Sequence, residues 1–277
     1  FNFPLMRSAS PLSPAWIRKN QKARLALLEK ISPVAWPCNT LGNHDSSRVY
    51  SHFADGTHDA ERARLALASI LTLKGTPFIY NGEEIGMTDY QISDPAQLRD
   101  TMATWYYQRL VDELNVDPTV AASRAAASSR DKNRTPMQWC NTHNAGFSPL
   151  GIQTWLPVNP NYSNGINVRD QRANPVSLWN FYRRMLRLRK NTPALIEGDY
   201  TPVHASAEGY LAFLRSTASQ NVLVVLSFSK ERLNLNFSDL AFTKASTLFS
   251  SAGRSKPEEK PTEIHLGAFE IYIAERL

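Results

Sequence analysis

The sequence predicts an α/β region followed by a small antiparallel β domain, and three observations carry that expectation. Near the front, short apolar runs alternate with amphipathic stretches at a repeat of roughly 35 to 40 residues, the rhythm of parallel βαβ units. The runs are continuously apolar, as expected of strands covered on both faces. After about residue 195 the chain offers YLAFLRS, VLVVLSFS, LNLNF and AFEIYIAE, β-type runs separated by polar turns.

Each element follows from its own pattern. Phe1 to Leu5 is apolar and aromatic and reads as a strand, and 15–30 reads as a helix carrying Ile17, Leu25 and Leu28. Val34 to Leu41 is a second strand. The stretch DAERARLALASILTL is a helix presenting Ala60, Ala63, Leu67, Ile70 and Leu71 on one face. Gly75 stops that helix, and TPFIYNGEE supplies the third strand. From Met87 to about Pro175 the rhythm breaks. A helical piece, the small-residue stretch AASRAAASSR and a loop rich in aromatics and prolines occupy this insertion. A helix returns at 176–190, with Leu178, Phe181, Met185 and Leu188 on one stripe.

The net charge is +6 over 277 residues, but bases and acids are interleaved. No long basic run appears, so nucleic-acid binding is disfavoured. No apolar stretch approaches the roughly 20 residues of a membrane-spanning helix, and the first residues lack a signal-peptide pattern. Cys38 and Cys140 make neither a disulfide framework nor a metal cluster, which points to a reducing cytoplasm. There is no phosphate-cradling loop and no Ser-His-Asp arrangement. No cofactor is expected. The chain opens on Phe1 instead of Met, and three βα units would leave bare sheet edges. A piece of a longer protein is therefore expected.

The candidate chemistry begins with Asn43, His44 and Asp45, after a predicted parallel strand, where α/β folds place active-site loops. An aspartate there can hold charge against a developing cation, and a histidine can donate to a hydroxyl. Capping of a turn by the Asp is the simpler alternative on spacing alone. His52, Asp55, His58 and Asp59 read as a polar loop entering a helix in preference to a metal site. Glu83 and Glu84, adjacent on a strand, would point to opposite faces. Trp139, Trp155 and Tyr162 either stack on a bound ring or anchor their loops.

LGNHDSSR, GTPFIYNGEEIGM, SRDKNRTPMQW, NAGFS and WLPVNPNY together resemble the α-amylase superfamily, glycoside hydrolase family thirteen. The resemblance is closest to the α-glucosidase and oligo-1,6-glucosidase branch. SLWNFYRRMLRLRKNTPALIEGDY is similar to that branch's last barrel helix and the entry to its β domain. The resemblance implies a TIM (β/α)8 barrel followed by an antiparallel β-sandwich. Residues 1–195 would be its last three βα units, strands six to eight, with an insertion at about 88–175. Residues 196–277 would be the β domain.

The resemblance further implies retaining hydrolysis of short α-glucans, maltose or isomaltose in type, from the non-reducing end, with no metal. Asp45 matches the aspartate that steadies the oxocarbenium-like transition state, and His44 the histidine beside it that bonds the same sugar hydroxyls. Arg130 resembles an arginine reaching the innermost sugar, with Arg134 the alternative. Gly82 and Glu83 match a motif that shapes the pocket floor. Retaining hydrolysis also needs a nucleophile and an acid roughly 5 to 5.5 Å apart. In this family those follow strands four and five, so the resemblance implies that they lie upstream of Phe1. The alternatives are a trehalose synthase-like transglycosylase, a non-catalytic partner subunit, and a carbohydrate-binding fragment completed by a separate N-terminal chain. Bare barrel edges would favour self-association.

Overall fold

The computed structural model describes residues 2–7, 11–240, 244–254 and 262–277. Its chain folds as two compact units, one from Phe1–Leu41, Phe53–Phe78 and Phe181–Leu277, the other from Gly42–His52 and Ile79–Asn180.

The expected first strand is instead a short helix, α1 (Phe3–Met6). Pro4 has no N–H to give a ladder, and its fixed φ suits a first helical turn. Phe1 lies outside the described residues. Asn2 keeps a strand-like bond, donating its N–H to Cys38 O at 2.8 Å. Helix α2 (Pro14–Ile31) starts on a Ser13 cap, whose Oγ accepts from Trp16 N at 3.2 Å. Pro14 and Ile17 face inward, but Leu25 and Leu28 are only half-buried, and the rest of the buried face is Asn20 and Gln21. These amides join a buried cluster. Asn2 Nδ2 donates to Asn20 Oδ1 at 2.8 Å and to Asn39 Oδ1 at 3.1 Å, and Asn39 Nδ2 donates to Lys74 O at 3.0 Å. Buried amides must be paired, so the cluster fixes α1, α2 and the strands to one another.

Strand β1 (Cys38–Thr40) pairs in parallel with β2 (Thr76–Phe78), Cys38 opposite Thr76. Each strand is three residues long, shorter than expected. Pro37 removes a ladder donor before β1, and after β2 the chain turns at Gly82, whose φ is 91°. Between the strands run α3 (Val49–His52) and α4 (Asp59–Thr72). The second half of α4, from Leu65 to Thr72, is buried on every side, not on one face. Such a helix belongs inside a core.

The second unit holds α5 (Thr101–Gln108), which runs on into a π-helical turn at Arg109–Glu113, and α6 (Pro118–Ser128). Asp100 caps α5 by accepting from Met102 N, and Asp117 caps α6 by accepting from Thr119 N and Val120 N. The small-residue stretch is thus helical. Ala125 and Ala126 pack against Ile92, Leu98 and Ala103. Farther along come α7 (Val168–Ala173) and a second core of Ile85, Met87 and Met137, with Trp179 and Phe147 against it.

Helix α8 (Leu178–Lys190) buries Leu178, Phe181 and Met185 as expected, and Tyr182 as well, with Leu188 half-buried. Helix α9 (Pro193–Glu197) precedes the strands β3 (Asp199–Val203), β4 (Tyr210–Ser216), β5 (Asn221–Ser227), β6 (Leu233–Asn236), β7 (Ala245–Ser250), β8 (Glu263–Leu266) and β9 (Ile271–Arg276). Five form one antiparallel sheet in the order β3-β4-β5-β9-β7, and β6 pairs with β8. One core draws on both sheets, with Val225 and Tyr272 from one and Leu235, Ile264 and Leu266 from the other. That is a sandwich. The sequence patterns had not pointed to β3, β7 and β8. β3 and β7 are edge strands, and β3 contains Pro202, a residue tolerated only at an edge.

Candidate active site

The second unit brings together His44, Asp45, Arg130 and Arg134. The sequence Asn-His-Asp folds as an Asx turn in which Asn43 Oδ1 accepts from Asp45 N at 2.8 Å and from Ser46 Oγ at 3.0 Å. The capping role therefore falls to Asn43, and the Asp45 carboxylate is left for other partners. Asn133 steadies the same turn, its Nδ2 donating to Asn43 O at 3.0 Å.

The Asp45 side chain is 50% exposed and meets three cationic or potentially cationic groups. Arg134 Nη2 is 2.8 Å from Oδ1, Arg130 Nη1 is 3.5 Å from the same oxygen, and His44 Nε2 is 3.4 Å from Oδ2. Arg134 also donates from Nε to His44 O at 2.8 Å. Exposed pairs of this kind add little stability. Their effect is to orient a carboxylate that remains open to solvent.

Arg130 is held from behind by Asp100, a residue that the sequence patterns did not single out. Its Nε and Nη2 bond the two Asp100 oxygens at 2.7 and 2.8 Å, a bidentate fork. The Asp100 side chain is 2% exposed. The fork holds its carboxyl far below the usual carboxylate range and pushes the Arg130 guanidinium above its own. Asp131 completes the support, its Oδ2 accepting from Arg99 N at 2.7 Å and Asp100 N at 2.8 Å. The available signal was local: an Asp before a helix start, and an arginine in SRDKNR in need of a partner.

Both arginines line a cleft of about 490 Å³ with Asp100, Asp131, Trp155 and Leu156. Trp155 is half-exposed, donates from Nε1 to Arg134 O at 3.0 Å and lies edge-on to Phe147. Trp139 and Tyr162 are not among the residues that line this cleft. The first unit holds a larger hollow, about 710 Å³ beside Arg18 and Lys22, so volume alone does not mark the site.

Glu83 and Glu84 lie in a 3-10 turn beyond the end of β2, so strand alternation does not govern them. Glu84 accepts from Gly82 N at 2.9 Å. Glu83 is buried, and desolvation pushes its carboxyl up to about 8 against the Tyr80 N–H bond and the Arg48 charge, which favour ionisation. In the tract ending at Asp59, the carboxylates serve the loop. Asp55 accepts from Thr57 and His58 N and pairs with Arg62, and Asp59 accepts from Asp55 N and Gly56 N. Among the described residues, no group of three His, Cys, Asp or Glu side chains is placed to hold a metal ion. Nor is any helix among them long and apolar enough to cross a membrane.

An NHD turn and paired arginines follow βα units, and an antiparallel sandwich comes after them. These features are those of an α/β region followed by a β-sandwich domain. Residues 6–198 match the model described as alpha amylase, catalytic domain, and residues 200–273 match the maltogenic amylase C-terminal domain. The chain belongs to the α-amylase family. It is 31% identical over 239 residues to an oligo-1,6-glucosidase of Parageobacillus thermoglucosidasius, covering 86% of this chain and 42% of that protein. A probable oligo-1,6-glucosidase 2 of Bacillus subtilis is 35% identical over 205 residues, 74% of this chain and 36% of its own. Among solved structures, the trehalulose synthase MutB of Pseudomonas mesoacidophila superimposes with a TM-score of 0.83 at 30% identity. That match covers 99% of this chain and 50% of MutB. The chain thus spans half or less of the length of each of these relatives.

Proposed function

We propose that this chain carries the glucose-binding side of a retaining α-glucosidase acting on short α-glucans from the non-reducing end. The observation that supports it best is the half-exposed Asp45 carboxylate, oriented by Arg134, Arg130 and His44. Such a carboxylate can accept hydroxyl hydrogen bonds from a sugar ring and face the positive charge that develops as the glycosidic bond breaks. His44 donates to the same hydroxyls. Arg130, locked by Asp100, or Arg134 reaches the innermost sugar, with Trp155 as a stacking face. The relatives' names, oligo-1,6-glucosidase above all, support the substrate class.

In this proposal residues 1–195 correspond to the last three βα units of the barrel, with helix α1 standing where the first of their strands was expected, and 196–277 to its β domain. The nucleophile and the acid come from outside these 277 residues, either upstream in a parent chain or on a separate N-terminal chain. Two unpaired cysteines suit a cytoplasmic protein. In the whole protein, Asp45→Asn should lower the rate by on the order of 10³-fold, roughly 4 kcal/mol of transition-state stabilisation. The assay is hydrolysis of a chromogenic α-glucoside, and near-full activity in that variant would refute the role. The 277-residue chain alone should give no turnover.

A second proposal is transglycosylation, favoured by the trehalulose synthase MutB as a structural neighbour. Product analysis on maltose and on sucrose separates the two. Free glucose as the main product favours hydrolysis, and an isomeric disaccharide favours transfer.

A further inference from the structure

The Asp45 turn begins at Gly42, and what lies beneath that glycine is unusual. A methyl group added at residue 42 would collide with Glu83 Oε1 and stand 3.0 Å from Val49 Cγ2. The space beside Gly42 is thus filled by the end of the Glu83 side chain, and no left-handed backbone is involved, since φ lies outside that region. Glu83 Oε1 is buried and has no hydrogen-bond partner among the described residues. The charged groups that act on it are Arg48 and Glu84. Arg48 donates from Nη1 to Asn81 O at 2.8 Å and from its backbone N–H to Asp89 Oδ1 at 2.8 Å, and its Nε, buried and without a partner among the described residues, does not reach Oε1 either. Glu84 is turned to Gly82 N.

We propose that Glu83 is a positioning residue for the turn that carries Asp45. It acts by contact under Gly42 and does so as the neutral acid. This rests on the α-glucosidase proposal only for its effect on turnover. An ionised carboxylate at this depth would leave Oε1 charged with no donor facing it. The neutral carboxyl fills the space below Gly42 without demanding one. Losing the proton forces either Arg48 or the turn backbone to move toward Oε1, and Asp45, three residues on from Gly42, moves with the turn. The burial-driven rise of the Glu83 carboxyl to about 8 agrees with this state at neutral pH.

The test is to follow the Gly42 and Asp45 amide resonances of the isotope-labelled chain from neutral to alkaline pH. Both should shift with a common midpoint near 8 in the native chain and stay flat in Glu83→Gln. In the whole protein, Glu83→Gln should flatten the alkaline limb of kcat with KM unmoved. Glu83→Asp, one methylene short of Gly42, should lower kcat about tenfold at every pH. Flat Gly42 and Asp45 amides in the native chain would overturn the positioning role whatever the activity, even if the variants fail to fold. Titrating amides in a whole protein that does not cleave α-glucosides would support the positioning role and sink the α-glucosidase proposal instead.

Discussion

Asp100 has two functions that one substitution can separate. Its carboxylate caps α5 and grips Arg130 through a bidentate fork. Asp100→Asn keeps a capping oxygen but loses the charge, so Arg130 is released toward its second partner, Asp45. A shifted Asp45 should reduce turnover roughly tenfold to a hundredfold, with helix stability nearly intact. Steady-state kinetics together with helix content by circular dichroism checks this; unchanged turnover would argue that Arg134 alone orients Asp45. Glu83 gives a prediction of a different kind. Its folded carboxyl holds a proton up to about 8, and its ordinary value is 4.5. Across that window the folded state binds more protons than the unfolded state, so stability falls as pH rises and levels off above it. At about 1.36 kcal/mol per unit the loss is of order 5 kcal/mol. Denaturant unfolding at the two ends of the window should show this slope in the native chain and a smaller one in Glu83→Gln. The Asn-His-Asp turn stood out through its resemblance to the α-amylase superfamily, since spacing alone favoured a capped turn. Asp100 did not, because an aspartate before a helix reads as a cap and its second partner lies 30 residues away.

Among the elements, β4 depends on a buried cation that pairs with no carboxylate among the described residues, Asp199 acting on it only at longer range. Arg215 is fully buried, and its guanidinium donates to Thr72 O at 2.6 Å, Leu195 O at 3.1 Å and Gly198 O at 2.9 Å. Thr72 is the last residue of α4, and Leu195 and Gly198 lie in and just after α9. Carbonyls at helix C-termini lack intrahelical partners and carry the negative end of the dipole, so a guanidinium there replaces two caps at once. Arg215→Met should cost about 3 kcal/mol or more, because several buried carbonyls lose their donor together. A urea midpoint that hardly moves would mean that water takes over those carbonyls. Central strands β4, β5 and β9 were legible as apolar runs. The edge strands β3 and β7 were not, since β3 leaves most of its residues exposed, β7 is half-buried nearly throughout, and neither alternates with period 2. The opening apolar stretch misled for a related reason. Aromatic and apolar residues mark a strand only where N–H groups are free to pair, and Pro4 decides for a helical turn.

For the molecule as a whole, the change from α/β to antiparallel β was readable because periodicity is a property of long stretches. The division of the chain into its two units was not, since Gly42–His52 joins Ile79–Asn180 through contacts remote in sequence. The parallel pair β1-β2 now carries the last prediction. Parallel strands are ordinarily covered on both faces and paired at both edges. Here β2 leaves Thr76 and Phe78 exposed, and Leu27, Ile31 and Val34 of the same unit are exposed too, Val34 at 85%. A short parallel pair with apolar residues in water is an open template for a further strand. We therefore expect the 277-residue chain to self-associate at micromolar concentration through this part of the first unit. Sedimentation velocity should show species heavier than the monomer, and Val34→Lys with Leu27→Lys should return them to monomer. A separate chain bearing the remaining barrel units should compete for the same surface and replace the self-associated species with a one-to-one complex. A native chain that sediments as a monomer throughout would mean that the exposed strands are tolerated as they stand, and the proposed association would have to be given up.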